Sequence, residues 1–176
     1  MQLLPADIIL EHGSSFSARL IQFITHSYWN HAALVVIDDV LIEANKRGRF
    51  RRFALGPPNK MAIYRIIYLN TIERDKIVQQ ALKYEGRVYD FLLVLRLFQR
   101  LGLRKGFSTL KRAIFNSEPI SVPHIKDQFV VCSELVQEVY RNAGYPLCEP
   151  DKLLFPGGVA GLRRTVLRQV YGVETD

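Results

Sequence analysis

The segment HAALVVIDDVLIEA, His31 to Ala44, joins two aliphatic, β-branched runs through the single polar pair Asp38-Asp39. That pattern reads as a β-hairpin and commits the chain to an antiparallel sheet with at least one apolar face. Register then decides which side chains meet. A strict two-residue loop sets Ile37 opposite Val40 and Leu34 opposite Glu43, which leaves Glu43 on the face opposite His31. One extra residue, in the loop or as a bulge, brings His31, Glu43 and Asn45 to one face, because strand side chains alternate with a period of two. A His31–Glu43 pair therefore requires an odd loop or a bulge.

Around this hairpin the chain reads as mixed α and β. ADIILEH forms a first strand, and Ser14 to Ser27 places Phe16, Leu20, Phe23 and Ile24 at helical spacing, with Ser14 or Ser15 as the cap. MAIYRIIYL is a further strand. Thr71 to Glu85 carries Ile77, Val78, Ala81, Leu82 and Tyr84 on a helical face, with Thr71 as N-cap and Gly86 as its end. A second helix starts near Tyr89, and about 91–128 forms an insert of greasy and basic helical sequence closed by a loop with Pro119 and Pro123.

At 176 residues the chain fits one domain, 1–176, able to bury a core without disulfide staples. Its 48% hydrophobic and 23% charged residues are those of a globular protein. The two cysteines, Cys132 and Cys148, lack the spaced Cys/His pairs of a zinc site and are too few for a secreted disulfide framework. No metal or organic cofactor is implied. MQLLPADIILEHG has no basic leader and meets Pro5 and Asp7 early, so a cytoplasmic protein is expected. No apolar run approaches the ~20 residues of a membrane span. The net charge of +7 suits an anionic substrate, a membrane surface or nucleic acid without choosing among them.

In FVVCSELVQEVYRNAG, Phe129 to Gly144, an apolar run turns into a helix. Val136, Val139, Tyr140 and Ala143 fall on the same helical face as Cys132, so the thiol points toward the core side. Ser133 and Glu134 favour a helix start, and Gly144 followed by Pro146 favours its end. Cys132 thus lies at the N-terminal turn, where free N–H groups and the helix dipole favour a thiolate and can receive an oxyanion. Taken alone, it reads first as a small buried hydrophobe. A nucleophilic cysteine needs a base and an orienting group. Of the four histidines, His12, His26 and His124 sit where exposed or helix-capping roles fit. His31 opens a strand beside the small Ala32 and Ala33, and Glu43 or Asn45 on the partner strand can orient it.

The motifs PADIIL, NHAALVV followed by LIEA, GRVYDF and VVCSELVQEVYRNAG, in that order, resemble the permuted papain-like amidases of the YiiX/YaeF type, within the wider NlpC-type cysteine peptidase superfamily. The resemblance covers about Pro5 to Gly144. It implies an α+β, circularly permuted papain-like fold with an antiparallel sheet packed against the cysteine-bearing helix. It also implies Cys132 as nucleophile, His31 as base and Glu43 as the orienting residue, with Asn45 the alternative. Tyr89 and Ser133 fall where an oxyanion or pocket group is expected.

The function so implied is a cysteine hydrolase, an amidase or peptidase working through a thioester, with cell-wall peptide or another amide as substrate. The superfamily also includes lipid-directed thiol acyltransferases and phospholipases, so a lipid ester is the alternative. In the basic run NKRGRFRR, Arg47 and Arg49 are placed to hold an anionic substrate group. A non-enzymatic basic module on a membrane surface or nucleic acid is the competing class, the nucleic acid being the weaker of the two.

Overall fold

The hairpin forms, and it lies at the centre of the site-bearing half of the sheet. The computed structural model describes residues 2–44, 50–85, 120–121, 132–149, 152–162 and 166–172. The strands are β1 (Ile8–Glu11), β2 (His31–Ile37), β3 (Val40–Ile42), β4 (Phe50–Arg52), β5 (Met61–Arg65), β6 (Ile120–Ser121), β7 (Lys152–Leu153) and β8 (Arg168–Tyr171). The helices are α1 (Phe16–Thr25), α2 (Thr71–Leu82), α3 (Cys132–Asn142) and α4 (Pro156–Gly161). Six strands make an antiparallel sheet in the order β4-β3-β2-β1-β5-β8, and β6 pairs with β7 separately.

The sheet is buried on both faces, as its unbroken apolar strands require. On one face Ile8, Leu10, Ala32, Leu34, Ala62 and Tyr64 pack with Leu135, Val136, Val139 and Tyr140 of α3 and with Ile77 and Ala81 of α2. On the other, Ile9, Ala33, Val35, Leu41 and Ile63 form a second cluster closed by Leu3, Phe53, Val170 and Tyr171. Each large side chain so buried contributes roughly 1.5–3 kcal/mol. The stripe of α3 is thus what holds the cysteine helix on β2. Gly144, at a φ of 93°, ends the helix with Tyr145 N–H bonded back to the Tyr140 carbonyl at 2.8 Å.

Several boundaries differ from the sequence reading. The α2 cap is Asn70 rather than Thr71: its side chain accepts from Glu73 N–H while Glu73 accepts from Asn70 N–H, a reciprocal capping box. Leu82 is exposed, and the buried side of α2 uses Arg74 in its place. The end of NKRGRFRR is an edge strand, β4, and the tail supplies β8 on the other edge. The helix expected from Tyr89 and most of the 91–128 insert lie outside the described residues. Among the described residues no helix is long and apolar enough to cross a membrane.

Gly172 follows β8 at a φ of 100°, and a Cβ there would run into the Met61 carbonyl and lie 2.8 Å from Ala62 Cα. Both its backbone conformation and the close strand approach demand glycine. Gly172→Ala is expected to destabilise the fold by about 1–3 kcal/mol, read as a drop of about 2–4 °C in melting temperature per kcal/mol.

Candidate active site

The hairpin meets its register condition through a bulge. Asp38-Asp39 is a strict two-residue loop with Ile37 opposite Val40, and Asp38 takes a φ of 43°. The register then shifts between Val35 and Ile37, so that Val35 faces Leu41 and Leu34 faces Ile42. Continuing that register sets Glu43 opposite Ala33, on the same face as His31. The two side chains meet: His31 Nε2 lies 2.9 Å from Glu43 Oε2.

Two groups that the sequence reading did not single out complete this end of the sheet. Glu11, the last residue of β1, is directly paired with His31, and Arg51 of β4 reaches across both strands. Its Nε donates to Glu43 Oε2 at 3.1 Å and a terminal nitrogen donates to Glu11 Oε1 at 2.7 Å. A guanidinium fork suits this two-carboxylate bridge better than an ammonium, and it holds the same Glu43 oxygen that the imidazole bonds. The signal for Arg51 was present in the alternation of FRRF, which turns Arg51 to one face and Phe50 and Arg52 to the other. It was hidden because only the order of the strands brings that face of β4 toward Glu43 and Glu11.

Cys132 opens α3 and is buried, with Ser133 beside it also buried. The first turn leaves backbone N–H groups without helical acceptors around the thiol. His31, at the first position of β2, is hydrogen-bonded to Cys132 as well as to Glu43. Burial works against a charged ring and is the largest single influence. The bonds and charges of Cys132 and Glu43 together outweigh it, raising the His31 pKa from 6.5 to about 10. The folded value lies above the unfolded one. The imidazolium therefore stabilises the fold fully below about pH 6.5, and that contribution is lost as the pH rises through about 10. The expected result is a His31 ring resonance titrating near pH 10, moving toward 6.5 in Cys132→Ala, followed by NMR of the imidazole carbons.

Glu11, His31 and Glu43 also place one ligand atom each within 4.8 Å of one another. The space between the two carboxylates is bridged by Arg51. Asn45, Arg47, Arg49, Tyr89 and His124 lie outside the described residues. His12 stacks on Tyr28 with ring centroids 4.1 Å apart, and His26 caps α1. Cys148 is partly exposed and accepts from Gln137 Nε2 at 3.3 Å.

No protein-family profile matches the chain, and no curated protein matches it significantly. Among solved structures, the crystal structure of metalloprotein YiiX from Escherichia coli O157:H7, of the DUF1105 group, is similar over 99% of this chain and 100% of that one. The TM-score is 0.66 at 20% identity. The chain has the YiiX fold. Within it, the strand-borne His31 and Glu43 and the helix-borne Cys132 converge at one end of the sheet.

Proposed function

We propose that the chain is a cysteine hydrolase of permuted papain-like topology, with Cys132 as nucleophile, His31 as base and Glu43 as orienting residue. One observation carries this reading. A single imidazole, 2.9 Å from a buried carboxylate, also bonds a thiol in the first turn of a helix. The order of elements supports the permutation, since the histidine hairpin precedes the cysteine helix in the chain.

The chemistry follows from the parts. The Cys132 proton passes to His31, and Glu43 holds the ring and offsets its charge. The thiolate attacks an amide or ester carbonyl carbon, forming a C–S bond, while the N–H groups of the first turn of α3 receive the oxyanion. His31 returns its proton to the leaving nitrogen or oxygen as that bond breaks, which leaves a thioester. Water deprotonated by His31 then attacks the thioester, and the thiolate departs. Cell-wall peptide is the amide substrate we favour. A lipid ester is served by the same steps.

A metal centre is the second reading, prompted by the likeness to a protein described as a metalloprotein. The Glu11, His31 and Glu43 cluster does not fit a divalent ion as it stands. Arg51 already bridges both carboxylates with a positive charge, and His31 bonds Glu43 and Cys132. A cation entering there would face the guanidinium directly.

The test is acyl-enzyme trapping. With an activated ester and an activated amide, intact mass is expected to show one acyl group, located on Cys132 by digestion and released by hydroxylamine. Glu43→Gln keeps the shape but removes the charge that favours the imidazolium. It is expected to slow acylation by roughly 10- to 100-fold with little change in melting temperature. Unchanged acylation in Glu43→Gln rejects its orienting role.

A further inference from the structure

The helix α1 is built inside out relative to an ordinary surface helix. Its inner side packs through Ala18 and Thr25, both buried. Phe16 and Phe23, 85% and 75% exposed, point away from the core, and the half-buried Leu20 lies between them on the same face at helical spacing. A stripe of this kind is not explained by packing within the described chain.

Its place in the fold matters. The helix bridges β1 and β2 at the end of the sheet that holds Glu11 and His31, and Gln22 ties it to the Gly13 carbonyl and the Asn30 side chain. The chain leaving α1 carries Tyr28, 39% exposed, stacked on His12 and bonded through its hydroxyl to the Asn59 carbonyl. The next residue, Lys60, is exposed, and its carbonyl accepts from His12 N–H at 2.9 Å. Arg19 on α1 is exposed as well.

Charge separates this face from the other apolar surface. Between His12 and Ile37 the sequence has no acidic residue, and between Ala44 and Ile72 it has none either. Arg19 comes from the first interval and Lys60 from the second, whereas Arg51 and Arg65 of the second are paired with Glu11 and Glu43 and with Asp7. The exposed Ile67, Tyr68 and Ile72 lie at the opposite end of the sheet, next to Glu73 and Asp75 of α2.

We infer that α1 is an interfacial helix that seats the catalytic end of the protein on an anionic lipid membrane. Phe16, Leu20 and Phe23 enter the acyl boundary, Tyr28 sits at headgroup level, and Arg19 and Lys60 face the lipid phosphates. The site then opens toward the membrane plane. This placement does not depend on thiol chemistry, so Cys132→Ala is expected to bind as the wild type does.

The test is sedimentation of the full chain with vesicles of phosphatidylcholine containing phosphatidylglycerol, against phosphatidylcholine alone. Binding is expected to the anionic vesicles, weakened by added salt because the headgroup attraction is screened. Phe16→Ser with Phe23→Ser is expected to lower the partition coefficient by at least about tenfold with little change in the melting temperature, since both rings are largely exposed. A Phe23→Trp variant adds a positional readout: its emission shifts to the blue on binding and is quenched by brominated lipid. Three results overturn the inference: no binding to either vesicle, binding indifferent to the paired serine substitution, or a dimer in solution that the paired substitution separates.

Discussion

His31→Ala is expected to slow acylation of Cys132 by about 10²- to 10⁴-fold, the span typical of losing a positioned general base. The loss has two parts. The thiol loses its proton acceptor, and the thiolate loses the imidazolium whose pKa, against the cost of burial, the bonds and charges of Cys132 and Glu43 raise to about 10. Glu43 is not left bare, because Arg51 still donates to it at 3.1 Å. The His31 side chain is 21% exposed at the strand end, so the fold is expected to survive the substitution. Single-turnover acylation, with a thermal melt on the same sample, separates the catalytic loss from any structural one. A variant that acylates at the wild-type rate removes His31 from the mechanism.

Asp7→Ala is expected to have the largest effect on stability, about 3–5 kcal/mol. Asp7 is fully buried at the end of the sheet away from the site. Arg65 donates to its two oxygens at 2.8 and 2.6 Å, Leu4 N–H donates at 2.9 Å, and an Arg74 nitrogen lies 3.7 Å away. Removing the carboxylate leaves the buried Arg74 charge without its counter-ion, although its bonds to the Pro5 and Ile66 carbonyls remain. Those two carbonyls, and the Ala6 carbonyl that accepts from Tyr140, flank the start of β1. The network therefore clamps β1 to α2 and α3 together. Urea unfolding checks the magnitude, and the acylation rate per folded molecule is expected to stay unchanged because the network is remote from Cys132.

Much of the candidate site was legible in the sequence because it rests on short-range periodicities. Period two within HAALVVI and VLIEA gave the condition for a His31–Glu43 pair, and the helical stripe from Cys132 to Ala143 gave the seat of the thiol. How the condition is met was not legible. A bulge at Val36 and a lengthened loop are equivalent by alternation, and only the packing of Val36 with Leu34 and Ile42 on the helix-covered face decides for the bulge. Glu11 and Arg51 were missed for a different reason. Each looks like an ordinary strand-end charge until β1, β2, β3 and β4 are placed side by side, and that order is a tertiary fact. The Asn70 cap was missed more simply, because Asn and Thr both cap helices and the reciprocal Glu73 contact distinguishes them.

The central claim is that Cys132 is an activated thiol and Cys148 is not, and site-resolved labelling tests it most directly. The wild type and His31→Ala are treated with a limiting electrophilic acyl probe across a pH series, and the modified cysteine is mapped after digestion. If Cys132 works with His31 as proposed, the probe is found on Cys132 in the wild type. In His31→Ala that labelling is then lost, while Cys148 labels only as an ordinary thiol does in both proteins. Equal labelling of the two cysteines, or Cys132 labelling that His31→Ala leaves intact, contradicts the claim.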